Sequence, residues 1–158
     1  MTHVAIAEAP ELAYEHAYQR HWSDVFRFAL AWTNDWGQAE DLAQDAYLRL
    51  WDQRGRIDWS RPVLPWLLVA TRRLATDRFR RMRRRLAPPP APVLDDAVEV
   101  RWLDVREAMN ALSPLERTAL VLTAVEGATY EEAARVLDTS AGALRAAVSR
   151  ARQKLEAA

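Results

Sequence analysis

The side chains best placed to do chemistry here are guanidinium groups, and what they can do is bind a polyanion. Between Arg72 and Arg85 eight arginines stand against Asp77 alone, a local charge of +7. Near the C-terminus, Arg145, Arg150, Arg152 and Lys154 add +4 with no acid before Glu156. The chain is formally neutral, so the remainder carries about −11. Mixed charges serve solubility better than this segregation, and two basic surfaces on an acidic body point to polyanion binding in two places.

Catalytic chemistry finds no foothold. His3, His16 and His21 are scattered without a metal-binding spacing, and there is no cysteine to supply a thiolate or a disulfide. No glycine-rich loop is present to cradle a phosphate. Glu131 and Glu132 fit a helix first turn better than acid–base work. We expect no enzyme activity, metal or cofactor. The lack of cysteine suits a reducing cytosol. No apolar run approaches the roughly 18 residues of a membrane span, and the N-terminus lacks a secretory pattern, so a cytoplasmic protein is expected.

The elements that must carry these cations read as helices throughout; only Val98 to Leu103 alternates in a strand-like way. Upstream, 11–32, 39–52 and 66–86 have helical periodicity, broken at Asn34-Asp35-Trp36-Gly37 and by a loop over 55–65. The proline-rich stretch 87–93 cannot continue a helix. It separates a unit 1–86 from a unit 101–158, with 87–100 as linker. Downstream, 102–111 reads as one helix. Ser113-Pro114-Leu115-Glu116 starts another with a capping box and proline at its first position, ending near Gly127.

The segment 129–155 reads as two helices around a tight turn. Thr129 and Glu132 form a capping box, Asp138-Thr139-Ser140 is the break, and Ser140 caps the next helix. Leu144, Val148, Ala151 and Leu155 share its buried face, while Arg145 and Ser149 project away and Arg152 lies at the edge. That is a helix-turn-helix with a basic second helix, the arrangement that reads a DNA major groove. A plain helical hairpin with cations near its C-terminus has the same pattern.

Three stretches together resemble one family. AEDLAQDAYLRLWD (39–52) resembles the polymerase-binding helix of bacterial RNA polymerase sigma factors of the extracytoplasmic-function (ECF) type, in the sigma-70 family. WLLVATRRLATDRFRR (66–81) resembles their promoter −10 helix, of the form WL…AR…DRxRR. Residues 112–155 resemble their −35-binding domain. The resemblance implies an all-α chain of two small domains, sigma region 2 (1–86) and sigma region 4 (101–158). It implies a factor that binds core RNA polymerase, directs it to −10 and −35 promoter elements, and promotes DNA opening. An anti-sigma factor is the further partner it implies.

The same resemblance assigns surfaces. On 39–52, Asp41, Gln44, Asp45 and Leu48 would dock on the polymerase. The loop Ile57, Asp58, Trp59, Ser60 and Arg61 would capture a flipped −10 base, with Thr71, Arg73, Asp77, Arg78, Arg80 and Arg81 as contacts on the following helix. Trp66 reads as core; for Trp59, core packing and base stacking stand level. At the −35 element the contacts would be Ser140, Gly142, Arg145, Ser149, Arg150 and Arg152. The family's recognition helix usually reads GTVKSRLxRAR; here Ala143, Ala146 and Ala147 replace two hydroxyls and a cation, and Arg73 stands where asparagine is common. Two other readings remain: a sigma-like decoy that binds an anti-sigma factor without initiating transcription, and a helix-turn-helix repressor acting without polymerase.

Overall fold

Proline at the first helical position starts α1 (Pro10–Thr33), and Asn34, in the left-handed conformation at φ 49°, ends it. The chain is described by a computed structural model over residues 9–82 and 96–158. It is all-helical among those residues: α2 (Trp36–Gln53), α3 (Leu64–Met82), α4 (Asp96–Asn110), α5 (Pro114–Leu120), a π-helical turn (Val121–Val125), α6 (Tyr130–Val136) and α7 (Ala141–Glu156).

The first unit packs α1, α2 and α3 against one another. Val25, Ala46, Tyr47, Leu50 and Leu67 close one core, and Ala29, Ala39, Leu42 and Ala75 a second beside it. Small residues on α1 and α2 let the helices approach, and Tyr47 fills the space with its buried hydroxyl donating to the Ala17 carbonyl at 3.2 Å. Helix α2 begins earlier than its apolar pattern predicts. Asp35 accepts a hydrogen bond from Gln38 N–H, so the expected break is itself the cap, and Glu40 and Asp41 fall beyond the first turn.

Downstream, both expected capping boxes form: Ser113 with Glu116, and Thr129 with Glu132. Ser140 accepts from Ala143 N–H to start α7, and Asp138, at φ 52°, turns the chain between α6 and α7. Helix α4 starts at Asp96, inside the segment expected as linker, and takes in the strand-like Val98 to Leu103. The helix from Ser113 does not run evenly to Gly127. It widens into the π turn, where Glu126 N–H reaches back five residues to the Val121 carbonyl. Gly127, at φ 72°, then accepts the positive backbone angle that stops it.

The two units share a core. Phe28 of α1 and Leu68 of α3 are buried in one cluster with Ala119, Leu122, Val136, Leu144 and Val148. The proline stretch and Arg83, Arg84 and Arg85 lie outside the described residues.

Candidate nucleic-acid interface

Helix α3 sorts its residues by direction. Arg73, Asp77, Arg80 and Arg81 recur at helical spacing and are exposed, forming a cationic stripe. Arg78 points sideways to α2, where its guanidinium pairs with the Asp45 carboxylate. Arg72 turns to the second unit and donates from Nε to the Val136 carbonyl at 2.9 Å. Thr71 lies apart from this stripe. Its side chain is fully buried and its hydroxyl donates to the Leu67 carbonyl at 2.7 Å, so it packs the core.

In the loop before α3, Asp58 and Ser60 close a local turn. Asp58 accepts from the Ser60 hydroxyl and backbone N–H, and those bonds hold its carboxyl below the usual range. Arg61, also exposed, lies 3.4 Å from the same carboxylate. Ile57 and Trp59 pack on the first core, and the Trp59 indole donates to the Arg54 carbonyl at 2.9 Å. Trp59 is thus half-buried against the core. Trp66 is only half-buried. One side rests on the core and the other lines an open cleft of about 580 Å³ with Arg49, Gln53, Pro65, Val69, Ala70 and Arg73.

Arg49 and Gln53 are the residues sequence reasoning missed. They lie one turn apart on α2, and only the packing of α2 on α3 sets them beside Trp66 and Arg73. Their spacing was legible; their neighbour was not. The polymerase-facing edge expected on α2 is exposed at Asp41, Gln44 and Leu48, the last 61% accessible, while Asp45 is held by Arg78.

On α7, Leu144, Ala147, Val148 and Ala151 are buried. Ala147 thus belongs to the core, while Ala143 is half-buried and Ala146 exposed. Gly142, Arg145, Ser149, Arg150 and Arg152 are exposed. The Ser140 hydroxyl oxygen is engaged as the cap. Arg145 lies over the Tyr130 ring, 5.3 Å from its centroid, and 3.3 Å from Glu131. Arg150 and Lys154 reach Glu116 at 3.3 and 2.9 Å. Glu116 is buried, which alone would raise its pKa. The hydrogen bonds from Lys154, the Ser113 backbone and Arg150 outweigh that, and its carboxyl sits below the ordinary value of 4.5. Half of the cations on α7 are therefore oriented by one buried carboxylate on α5.

Among the described residues no three His, Cys, Asp or Glu side chains gather as a metal site, and no helix is long and apolar enough to cross a membrane.

Comparison with known proteins places this geometry. Residues 17–85 match the sigma-70 region 2 family and residues 102–155 match sigma-70 region 4. The chain belongs to the sigma-70 family, whose members are promoter-selecting subunits of bacterial RNA polymerase. Within it the chain is an ECF sigma factor. It is 32% identical over 140 residues to the ECF RNA polymerase sigma factor SigC of Mycobacterium tuberculosis, covering 84% of this chain and 75% of SigC. It is 35% identical over 145 residues to a Xanthomonas campestris protein named "Probable RNA polymerase sigma factor RfaY", covering 81% of this chain and 36% of that protein. Among solved structures, CnrH in complex with the cytosolic domain of CnrY is similar, with TM-score 0.71 and 25% identity over 93% of this chain and 87% of CnrH.

Proposed function

We propose that this sigma factor divides its work between the two cationic helices, opening DNA with α3 and docking at the −35 element with α7. The observation that carries the reading is their placement. The exposed stripe of α3 lies in the part matching region 2, and the exposed cations of α7 in the part matching region 4. Phosphates of the −10 single strand would track Arg73, Arg80 and Arg81, with Asp77 and the loop 57–61 beside them. The cleft beside Trp66 offers a ring face and two guanidinium groups, Arg49 and Arg73, to an unstacked base and its phosphate. In the −35 major groove, Gly142, Arg145, Ser149, Arg150 and Arg152 would meet DNA.

Asp41, Gln44 and Leu48 would dock core polymerase, with Asp45 contributing when Arg78 releases it. Domain limits of 1–86 and 101–158 fit this division. The factor would do no covalent chemistry and would work in the cytoplasm beside the polymerase. An anti-sigma factor would be its inhibitory partner, engaging it as CnrY engages CnrH.

Run-off transcription with core polymerase and promoter DNA tests the reading. The chain should give a promoter-specific transcript that Arg49→Ala and Arg73→Ala reduce together with permanganate-detected opening, while core binding persists. Absence of core binding by the wild-type chain overturns the reading. Core binding without a transcript supports the decoy.

A further inference from the structure

Many arginines of the chain are already engaged. Arg54 pairs with Glu11, Arg78 with Asp45 and Arg145 with Glu131. Arg72 donates to the Val136 carbonyl, and the buried Arg117 of α5 donates to the carbonyls of Ala31, Trp32 and Leu112. Arg49 and Arg73 differ. Among the described residues, no hydrogen bond or ion pair holds either guanidinium or the Gln53 amide, yet all three line the open cleft of about 580 Å³ beside Trp66.

Helical geometry explains how α3 builds its side of this cleft. Trp66 and Arg73 are seven residues apart, so two turns set them on one face with a rise of about 10 Å. Side chains on a helix lean toward its N-terminus, which brings Arg73 back toward the ring. Val69 and Ala70 lie between them, and the small Ala70 is buried, so nothing bulky stands in that path. Arg49 and Gln53, one turn apart on α2, form the opposite wall.

A guanidinium only donates, so it pairs with a base edge that only accepts. Guanine has that edge: N7 and O6 stand side by side, and the planar guanidinium meets both at once. Adenine sets its N6 amino group beside N7, and cytosine presents its N4 amino group, so each turns a donor toward a donor. Thymine offers O4 alone, flanked by a methyl group. Of the side chains lining the cleft, only Gln53 carries an oxygen acceptor, which suits the N–H groups on the opposite edge of guanine.

We propose that the cleft between α2 and α3 selects guanine at one unpaired position of the promoter strand. The base rests on the Trp66 ring, Arg73 reads N7 and O6, and Arg49 holds a neighbouring phosphate. This rests on the sigma-factor reading, which gives the cleft a base, and adds the identity of that base. It is also a departure from the family. Asparagine, common there at the position of Arg73, pairs with N6 and N7 of adenine.

Fluorescence anisotropy of the full chain tests the subsite, with labelled single strands of thymidines carrying one central guanine, adenine or cytosine. The guanine strand should bind roughly tenfold tighter than the others. 7-Deazaguanine, which lacks N7, should lose that advantage, and hypoxanthine, which keeps N7 and O6, should retain it. Arg73→Asn should move the preference to adenine and Arg73→Ala should abolish it. Arg49→Ala should weaken all strands alike and flatten the dependence of affinity on salt. Both arginines are exposed, so the circular dichroism melt should not move. Wild-type binding indifferent to the base, or a preference that survives Arg73→Ala, refutes the subsite. Competition by free guanosine monophosphate as strong as that of the guanine strand overturns the strand as the source of the base. In run-off transcription with core polymerase, one position of the −10 element should require guanine with wild type and adenine with Arg73→Asn. The two readings fail separately. A chain that gives no transcript loses the sigma reading and keeps its guanine preference in anisotropy, whereas one that transcribes without base preference at any such position loses only the subsite.

Discussion

Replacing Glu116 by glutamine tests whether one buried carboxylate organises the DNA-facing helix of the second unit. Glutamine keeps the shape and can still close the capping box with Ser113, so the start of α5 should survive. What disappears is the charge that Arg150 and Lys154 share. Both cations are about half exposed, 52% and 44%, so each contact contributes at the level of a surface ion pair, about 0.2–1 kcal/mol. The expected loss is about 0.4–2 kcal/mol, or roughly 1–8 °C in Tm for a chain of this size. The pH dependence fixes the sign. Glu116 titrates below its ordinary 4.5 in the folded chain, so its contribution is fully present above that value and is lost as pH falls through the lowered one. Urea unfolding followed by circular dichroism, at neutral pH and then in acid, measures both. Wild type and Glu116→Gln should differ at neutral pH and converge in acid. Equal stability at neutral pH, or a gap that persists in acid below the lowered pKa, refutes the reasoning.

Thr71→Val, which removes a hydroxyl bonded only inside the core, should leave promoter opening within about twofold of wild type and cost at most about 1 kcal/mol of stability; permanganate footprinting and urea titration check both. Leu48→Asp should abolish detectable core binding while the circular dichroism melt stays in place, because the side chain is exposed and no core cluster depends on it. Arg78→Ala and Asp45→Ala should be non-additive in stability by about 0.5 kcal/mol in a double-mutant cycle, and strict additivity would show that their ion pair has no net value.

What the sequence made legible is what depends on neighbours within a turn. Ser113, Thr129 and Ser140 announce their helices because each cap is closed by a residue three positions on. The burial of Leu144, Val148 and Ala151 on α7 followed from period alone, whereas the contacts on α3 came from the resemblance. The burial of Thr71 was not legible, because a threonine bonding its own helix backbone is self-sufficient and can be buried, which its polarity conceals. Arg49 and Gln53 gained meaning only from α3 packing beside them. Arg117 gave no local sign at all. It follows a capping glutamate in an ordinary helix start, and two of its carbonyl partners, Ala31 and Trp32, lie more than eighty positions upstream. The π turn was equally hidden, since a single wide turn leaves no period in the apolar pattern.

The guanidinium of Arg117 is shielded from solvent, where it donates to the Ala31, Trp32 and Leu112 carbonyls with the buried charge of Glu116 nearby. Counterions therefore have little to screen there, while every phosphate contact made by α3 or α7 weakens as salt rises. Of the contacts between the two units, Arg27 with Glu126 is the ion pair open enough to feel the medium. A rise in ionic strength would thus act mainly on phosphate contacts of α3 and α7. The packing of α5 on the end of α1 would barely register it.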